Sequence, residues 1–322
     1  MIISHLIRLL ILLLEVMFWG SRLSLAALST DYYSMACPYA EMMVKNTVYI
    51  ALQKDPTLSA PILRMHFHDC FIQGCDGSVL IDSTKGNTAE KDSPANVILR
   101  GYEIIDQAKQ AIEDQCPGVV SCADILAMAA RDAVHWAGGV FYEVPKGRKD
   151  GRRSKIEDTI NLPPPTLNSS ALISLFGRRG FSVQEMVALS GGHTLGVARC
   201  SQFKNRLSKF DSKNDVDPTL NPTYAKSLSQ TCSAGDDTQA PFDWTSTSFD
   251  NQYFKAVKSN GGLLTSDQTL YGNPTTRAIV NYYAMNQVGF FYDFSQAMVK
   301  MGQLDVKEGD QGEVRLDCRK IN

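Results

Sequence analysis

The 322-residue sequence has few histidines, few tryptophans and almost no net charge. Lys and Arg number 32 against 34 Asp and Glu, which removes the electrostatic basis for binding nucleic acid. The five histidines and the absence of a paired C-x-x-C motif argue against a zinc module. Hydrophobic residues make up 44% of the chain and charged residues 20%, which is typical of folded globular proteins and excludes a disordered chain. The length allows one large domain or two of medium size.

The longest apolar stretch lies at the N-terminus. It covers positions 9–20, is interrupted by Glu15, follows Arg8, and precedes the Ser-Leu-Ala sequence at 24–26. A positive charge, an apolar segment and a small-x-small site are typical of a signal peptide, and the interrupting carboxylate disfavours a stable membrane span. We therefore predict a signal peptide over residues 1–26 and a secreted, extracellular chain with no membrane association after its removal.

The eight cysteines all follow the predicted signal peptide. An oxidising compartment favours four disulfides with no thiol left over, but the sequence alone leaves more than a hundred possible pairings open. Asn168 begins the one usable glycosylation sequon, because Asn221 and Asn273 are each followed by proline. The cysteines are Cys37, Cys70, Cys75, Cys116, Cys122, Cys200, Cys232 and Cys318.

Apolar residues recur with the 3.6-residue period of helices along most of the chain, and few windows alternate as strands do. The Leu-Pro-Pro-Pro segment at 162–165 must be extended. The pattern therefore predicts a mainly helical protein in two lobes joined near the proline segment. The predicted helices cover 40–53, 59–72, 100–115, 121–136, 168–179, 182–190, 193–207, 222–231, 249–258 and 274–300.

Arg64 and His68 form the first cluster with chemical potential. They are four positions apart in a predicted helix, so they share one face about a turn apart. A neutral imidazole beside a permanent guanidinium pairs a base with a stabiliser of developing negative charge. A histidine on a helix surface is the structural alternative. His66 points elsewhere on the same helix and is interpreted as packed.

The second and third clusters suit metal binding. Oxygen side chains of Asp69, Asp76 and Ser78, with glycines between them, suit calcium, which takes six to eight oxygen ligands. An ordinary acidic turn is the alternative.

His193, in the third cluster, follows two glycines that let the chain approach a flat, bulky group. A single histidine of this kind is what a haem iron needs from a proximal ligand, although a lone histidine is more often structural.

Taken together, these clusters and several further blocks resemble the class III secretory plant peroxidases, the horseradish type, over essentially the whole mature sequence. The resemblance implies an all-α, two-lobed haem peroxidase fold with haem b between a distal and a proximal lobe. It implies one domain over residues 27–322 whose lobes are not independent. The matching blocks are 64–78, 90–92, 100–102, 120–124, 147–150, 189–196, 249–251 and 262–267.

On the proximal side, the resemblance implies that His193 is the axial ligand of the haem iron. Asp267 would accept its other ring N–H and give the imidazole partial imidazolate character.

Phe67 would be the aromatic that keeps donors away from the iron and confines them to the haem edge. Pro163 would supply the donor-binding backbone position beside that edge.

On the distal side, the resemblance implies that His68 is the base that moves a proton between the two oxygens of hydrogen peroxide. Arg64 would stabilise the negative charge that develops as the O–O bond breaks. Asn96 would hold His68 in the tautomer with Nε2 free, and Glu90 would orient Asn96.

The implied activity reduces hydrogen peroxide to water while small phenolic donors are oxidised in successive one-electron steps. The implied protein is a monomer in the cell wall or apoplast. Two alternatives are a haem-free secreted binding protein on the same fold and a zinc hydrolase that uses His66 and His68.

The resemblance also implies two calcium ions, four disulfides and a buried ion pair between Asp124 and Arg148. Asp243 and Asp250 are seven positions apart, one fewer than the usual family spacing. The first calcium would be held by Asp69, Ile72, Gly74, Asp76 and Ser78, and the second by Thr194, Asp243, Thr245, Ser248 and Asp250. The disulfides would be Cys37–Cys116, Cys70–Cys75, Cys122–Cys318 and Cys200–Cys232.

Overall fold

A computed structural model describes residues 28–322, so the predicted signal peptide at 1–26 lies outside the described residues. In that range the chain is helical with one two-stranded antiparallel sheet, which confirms the all-α fold class. None of the helices described is both long and apolar enough to cross a bilayer. The elements are α1 (Ala40–Lys54), α2 (Ser59–Ile72), α3 (Tyr102–Glu113), α4 (Cys122–Trp136), α5 (Ser169–Arg178), α6 (Val183–Ser190), β1 (Val197–Arg199), α7 (Pro222–Cys232), β2 (Gln239–Pro241), α8 (Gln252–Lys258), α9 (Thr265–Gly272), α10 (Pro274–Met285) and α11 (Gln287–Met301).

The first helices pack around α4, which lies against both α1 and α2. Ser121 begins α4 as predicted, since its Oγ accepts a hydrogen bond from the Asp124 backbone N–H at 3.2 Å. Nearly every residue of α4 is buried, and its many alanines let the neighbouring helices approach closely. This packing holds α2, and with it the Arg64–His68 cluster, in a fixed orientation.

The later helices form a second group in which α11 packs on α6, and α10 packs on α8 and α9. A cluster of aromatic rings, including Phe249, Phe254, Phe290 and Phe294, fills the space between α8 and α11. One large hydrophobic core runs through both helix groups, and a smaller cluster lies beneath the two strands and α7.

The predicted helix at 193–207 is wrong. The chain there forms a short 3-10 turn over Gly191–Thr194, then β1, which pairs antiparallel with β2 so that Ala198 lies opposite Ala240. Gly196 has a φ of +93°, and its N–H donates to the Ser246 carbonyl at 2.7 Å. Bonds to a distant segment therefore replace the local helix that the apolar spacing favoured.

The predicted helix at 274–300 is two helices. They are separated at Asn286, whose side-chain oxygen accepts from the Gly289 N–H at 2.9 Å and caps α11. Helix α9 had no counterpart among the predicted helices.

All four predicted disulfides are present, and no free cysteine occurs among the described residues. Cys37–Cys116 joins the start of α1 to the turn after α3, and Cys122–Cys318 joins the start of α4 to the C-terminal segment. Each disulfide contributes about 2–4 kcal/mol, largely by restricting the unfolded chain.

The Asp124–Arg148 ion pair is fully buried, with 2.7 Å between Oδ1 and Nη1. Arg148 also donates through Nε to the Gly302 carbonyl at 2.8 Å, and Tyr33 donates its hydroxyl to Asp124 at 2.7 Å. These partners satisfy the buried charges, so the pair joins α4 to the end of α11 as a structural element.

The C-terminal segment packs behind the loop that follows α2. Arg315 is completely buried, donates through Nη2 to the Gly77 carbonyl at 2.6 Å, and donates its backbone N–H to Asp150 at 2.9 Å. Gly74 has a φ of +108°, and a Cβ there would lie 2.5 Å from the Asp305 carbonyl oxygen. The conformation of this loop therefore depends on residues at the far end of the chain.

Candidate active site

The distal pair, Arg64 and His68, lies on one face of α2 as the four-residue spacing predicts. Arg64 donates through Nε to His68 Nε2 at 3.0 Å, and His68 Nδ1 is 2.5 Å from the side-chain oxygen of Asn96. The Asn96 amide nitrogen donates to the Glu90 backbone carbonyl at 2.8 Å, which turns its oxygen toward the histidine. His68 therefore carries its proton on Nδ1 and presents an unprotonated Nε2.

Glu90 orients Asn96 through its backbone carbonyl, whereas its carboxylate lies elsewhere. Oε2 of Glu90 accepts from the Ser78 hydroxyl at 3.1 Å, and Oε1 is buried without a hydrogen-bond partner. The carboxylate thus belongs to the acidic loop after α2. An unpartnered buried carboxylate oxygen is costly unless a cation or another donor meets it.

Burial, and next the nearby Arg64 charge, lower the pKa of His68 to about 3, so its imidazole is neutral at physiological pH. Burial also lowers the pKa of Arg64 to about 10, although part of this side chain is accessible to solvent. Arg64 is exposed and donates to the buried His68, so the distal pair presents a base and a cation close to the protein surface.

Phe67 lies on α2, and Pro163 lies in a segment that is attached to the end of α2. Phe67 is partly buried, and its ring packs against His68 and Phe71 with centroid distances of 5.7 and 4.5 Å. Pro163 is partly exposed in an extended segment, as the proline run predicts. That segment follows Asn161, whose amide donates to the Ile72 carbonyl at 2.9 Å, so it is anchored to the end of α2.

The proximal turn, Gly191–Thr194, presents His193. Its Nδ1 lies 2.8 Å from Asp267 Oδ1, and its ring stacks on Phe242 with a centroid distance of 4.3 Å and an interplanar angle of 3°. A carboxylate can only accept, so Nδ1 carries the proton and Nε2 keeps its lone pair. The His193 side chain is 41% exposed, which leaves Nε2 available for a ligand bond.

Asp267 accepts three hydrogen bonds. Besides His193, the buried hydroxyl of Tyr253 donates to Oδ1 at 3.0 Å, and the Leu264 N–H donates to Oδ2 at 2.9 Å. Sequence analysis missed Tyr253, because the helical period around it indicates only a buried aromatic. Its polar contact with Asp267 joins two helices, and no local pattern reports it.

The proximal turn packs against the helix that carries the distal pair. A Cβ on Gly196 would lie 2.7 Å from the Ala60 side chain, and one on Gly192 would lie 3.6 Å from Leu63. Ala60 and Leu63 lie on α2 within a turn of the distal pair. The fold thus brings together two histidine sites that are more than a hundred residues apart in sequence.

The acidic loop, residues 69–78, begins in the last turn of α2 and holds the residues predicted for the first calcium. Asp69 accepts from the Gly77 N–H at 2.9 Å, Asp76 accepts from the Ser78 N–H at 3.1 Å, and Lys307 contacts Asp76. Burial, followed by the charge of Asp76, raises the pKa of Asp69 to about 8. Burial, followed by the charges of Asp69 and Asp76, raises the pKa of Glu90 to about 9.

Such concentrated negative charge is what a divalent cation would relieve. The carbonyl oxygens predicted from Ile72 and Gly74 lie in the same loop and accept from the Asn161 amide and the Asp76 N–H. Together with the unpartnered Glu90 oxygen nearby, this all-oxygen set fits calcium.

The residues predicted for the second calcium lie at the end of the proximal turn. Thr194 donates to Asp243 Oδ2 at 2.7 Å and is 3.2 Å from Asp250 Oδ1. The Thr245 N–H donates to Asp243 at 2.8 Å. Four of the five residues therefore meet despite the shortened spacing, and burial raises the pKa of Asp243. Ser248 is exposed and joins the loop through its backbone N–H to the Thr245 carbonyl.

His66 does not cooperate with His68. It is buried beside Arg148 and the Cys70 sulfur, and burial followed by the Arg148 charge lowers its pKa to about 3. Across residues 28–322, no group of three or more His, Cys, Asp and Glu side chains is arranged to hold a metal ion, so a calcium ion in either predicted site would also need backbone or hydroxyl oxygens. The different contacts of His66 and His68 give no support to a zinc hydrolase built on these two histidines, and the burial of His66 bears out its packed interpretation.

Comparison with known proteins agrees with this geometry. A family model described as peroxidase matches residues 44–286. The chain is 65% identical to Peroxidase 47 of Arabidopsis thaliana over 92% of this chain and 89% of that protein. It is 48% identical to Peroxidase 64 of the same plant over 99% of both chains, and 49% identical to Peroxidase 5 of Vitis vinifera over 92% of both. These matches give no support to a haem-free binding protein; the chain belongs to the class III plant peroxidase family and is a peroxidase.

Proposed function

We propose that this peroxidase holds haem b between His193 and the distal pair, and that it reduces hydrogen peroxide to water with electrons from small phenolic donors. One observation carries the proposal. His68 and His193 each have Nδ1 tied to a fixed oxygen acceptor, and each therefore presents an unprotonated Nε2. The Nε2 of His68 suits a base and the Nε2 of His193 suits an axial ligand, and both lie near α2.

On the proximal side, His193 would bind the haem iron through Nε2. The bound haem would supply the redox-active centre that accepts oxidising equivalents from peroxide and returns them to donors. Phe242 fixes the plane of the His193 ring by stacking, and Asp267 fixes its rotation by accepting the Nδ1 proton. The same hydrogen bond increases the electron density that the ring can donate.

On the distal side, hydrogen peroxide would replace the Arg64–His68 hydrogen bond. His68 Nε2 would take the proton from one peroxide oxygen and return it to the other as water leaves. Arg64 would stabilise the negative charge that develops during bond cleavage. Asn96 keeps the required tautomer throughout, because its oxygen accepts the Nδ1 proton.

Donors would meet the protein beside Phe67 and Pro163. An aromatic ring next to His68 restricts access to the base, so phenols would be confined to the rim that the proline segment forms. We infer that the protein acts outside the cell, because its N-terminal sequence is typical of a signal peptide and four disulfides are typical of an oxidising compartment.

The proposal is tested on the purified, calcium-loaded protein. We expect one iron per chain, a Soret absorption band, and oxidation of a simple phenol such as guaiacol that depends on hydrogen peroxide. Absence of the Soret band after reconstitution with haem would favour a binding protein, and zinc in place of iron would favour a hydrolase. Phenol oxidation without peroxide would contradict the proposed reaction.

The two oxygen-rich loops lead us to propose two bound calcium ions, and removing calcium should lower stability. A ligand present at about 100 times its Kd stabilises the folded state by about 2.7 kcal/mol per site. We expect a fall of this size for each site when a chelator is added, measured by denaturant unfolding. Asp76→Asn should reduce the calcium-dependent gain, whereas Asp310→Asn, in an exposed turn, should not. An equal calcium-dependent gain in both variants would contradict the assignment of the first site.

A further inference from the structure

Tyr253 contacts the proximal machinery without a role in the proposed reaction. Its hydroxyl lies 3.0 Å from the same Asp267 oxygen that accepts from His193 at 2.8 Å. The two rings meet edge to face, with centroids 6.0 Å apart and an interplanar angle of 78°. The Tyr253 side chain is buried in α8, so no solvent competes for its hydroxyl.

The direction of this hydrogen bond is fixed. The Tyr253 hydroxyl carries a proton that it can donate, and it lies 3.0 Å from Asp267 Oδ1. A carboxylate oxygen can only accept, and Asp267 is the only hydrogen-bond partner of this hydroxyl among the described residues. Tyr253 therefore donates to Asp267 and competes there with the His193 N–H.

We propose that Tyr253 is a positioning residue that limits how strongly Asp267 draws the Nδ1 proton of His193, and thereby sets the electron donation of His193 to the haem iron. The inference rests on the proposed function, because it requires His193 as the axial ligand. Tyr253, a buried residue, would in this way influence the reduction potential of the haem iron.

The physical argument concerns one oxygen shared by two donors. The negative charge of Asp267 is distributed over the His193 N–H, the Tyr253 hydroxyl and the Leu264 N–H. Without the hydroxyl, Oδ1 would accept from His193 alone, and that hydrogen bond would become stronger. The imidazole would gain anionic character, and a more anionic ligand stabilises ferric over ferrous iron.

The chain offers a matched control in Tyr283. This tyrosine is also fully buried and packs on Phe254, as Tyr253 does, with centroid distances of 5.0 Å in both pairs. Its hydroxyl also donates to a carboxylate, that of Asp293, at 2.8 Å. Tyr253→Phe and Tyr283→Phe therefore remove the same group from similar surroundings, but only the first removes it from Asp267.

The experiment compares the haem-loaded protein with both variants by redox titration and by resonance Raman spectroscopy of the ferrous form. For Tyr253→Phe we expect the ferric-to-ferrous equilibrium to shift about tenfold toward ferric, which is about 59 mV for one electron. The iron–histidine stretching band should move to higher frequency. Tyr283→Phe should change neither quantity, because its carboxylate does not contact His193.

A second experiment should shift the reduction potential and the iron–histidine band in the opposite directions. Site-specific incorporation of 3,5-difluorotyrosine at position 253 gives a more acidic phenol and a stronger donor, so the potential should rise and the band should move down. This arm decides the question if Tyr253→Phe fails to fold. Equal shifts in both phenylalanine variants, or no opposite shift with the fluorinated residue, would overturn the inference alone. An unmodified protein without an iron–histidine band would overturn the proposed ligation, and the inference with it.

Discussion

Replacing His68 by alanine should slow the reaction with hydrogen peroxide by about 100- to 10,000-fold, the range typical of a lost general base, while haem stays bound. Burial and the Arg64 charge lower the pKa of His68 to about 3, so the imidazole is an available base at neutral pH. Alanine removes that base and leaves the proximal turn untouched. Stopped-flow absorbance in the Soret region, with peroxide in excess, measures the rate per bound haem.

The control for this variant is the neighbouring histidine. His66 is equally buried on α2, and its pKa is also lowered to about 3, but it contacts Arg148 and the Cys70 sulfur instead of Asn96. His66→Ala should lower stability because it removes a buried side chain, yet its rate with peroxide per bound haem should match that of the unmodified protein. A near-normal rate in His68→Ala, or an equal loss in both variants, would refute His68 as the base.

Replacing His193 by alanine should abolish haem binding or leave the haem iron with a different axial ligand. The Asp267 hydrogen bond and the Phe242 stack hold this imidazole in one orientation, and no other histidine lies in the proximal turn. Titration of the apoprotein with haem, followed by Soret absorbance, should show at least a tenfold loss of affinity or a shifted band. Loss of a residue that supports a metal ligand lowers affinity by about 10–100-fold, and loss of the ligand itself should lower it at least as much.

Added imidazole sharpens this test. A small imidazole that enters the space left by His193→Ala should restore part of the spectrum, since it replaces the missing nitrogen ligand. His135→Ala serves as the control, because His135 contacts the Gly139 carbonyl at 3.2 Å on a different helix. An unchanged spectrum in His193→Ala would exclude this residue as the axial ligand.

Local spacing was sufficient to predict the distal pair. Residues four apart in a helix share a face, and the apolar period around Arg64 and His68 indicates a helix, so their contact follows from the sequence. The oxygen side chains and glycines of the acidic loop are contiguous in sequence, so their proximity was predictable, whereas calcium binding there stays a prediction. The partners of these residues, such as Asn96, came from the family resemblance, since 28 residues separate Asn96 from His68.

The parts that sequence did not predict depend on long-range contacts. The helix expected at 193–207 is interrupted by β1, because Gly196 bonds to Ser246 and the following residues pair with β2. Glu90 contacts Asn96 through its backbone carbonyl, and a pattern of side chains cannot report such a contact. The contact of Tyr253 with Asp267 spans 14 residues and two helices.

The burial of Arg315 behind the acidic loop has a consequence for biosynthesis. Asp69 leaves the ribosome 246 residues before Arg315 does, and at about 5–20 residues per second this interval is about 10–50 s. During that time the loop lacks the guanidinium that holds Gly77 and the carbonyl that packs on Gly74. The acidic loop therefore completes its packing only after the C-terminal segment has been synthesised.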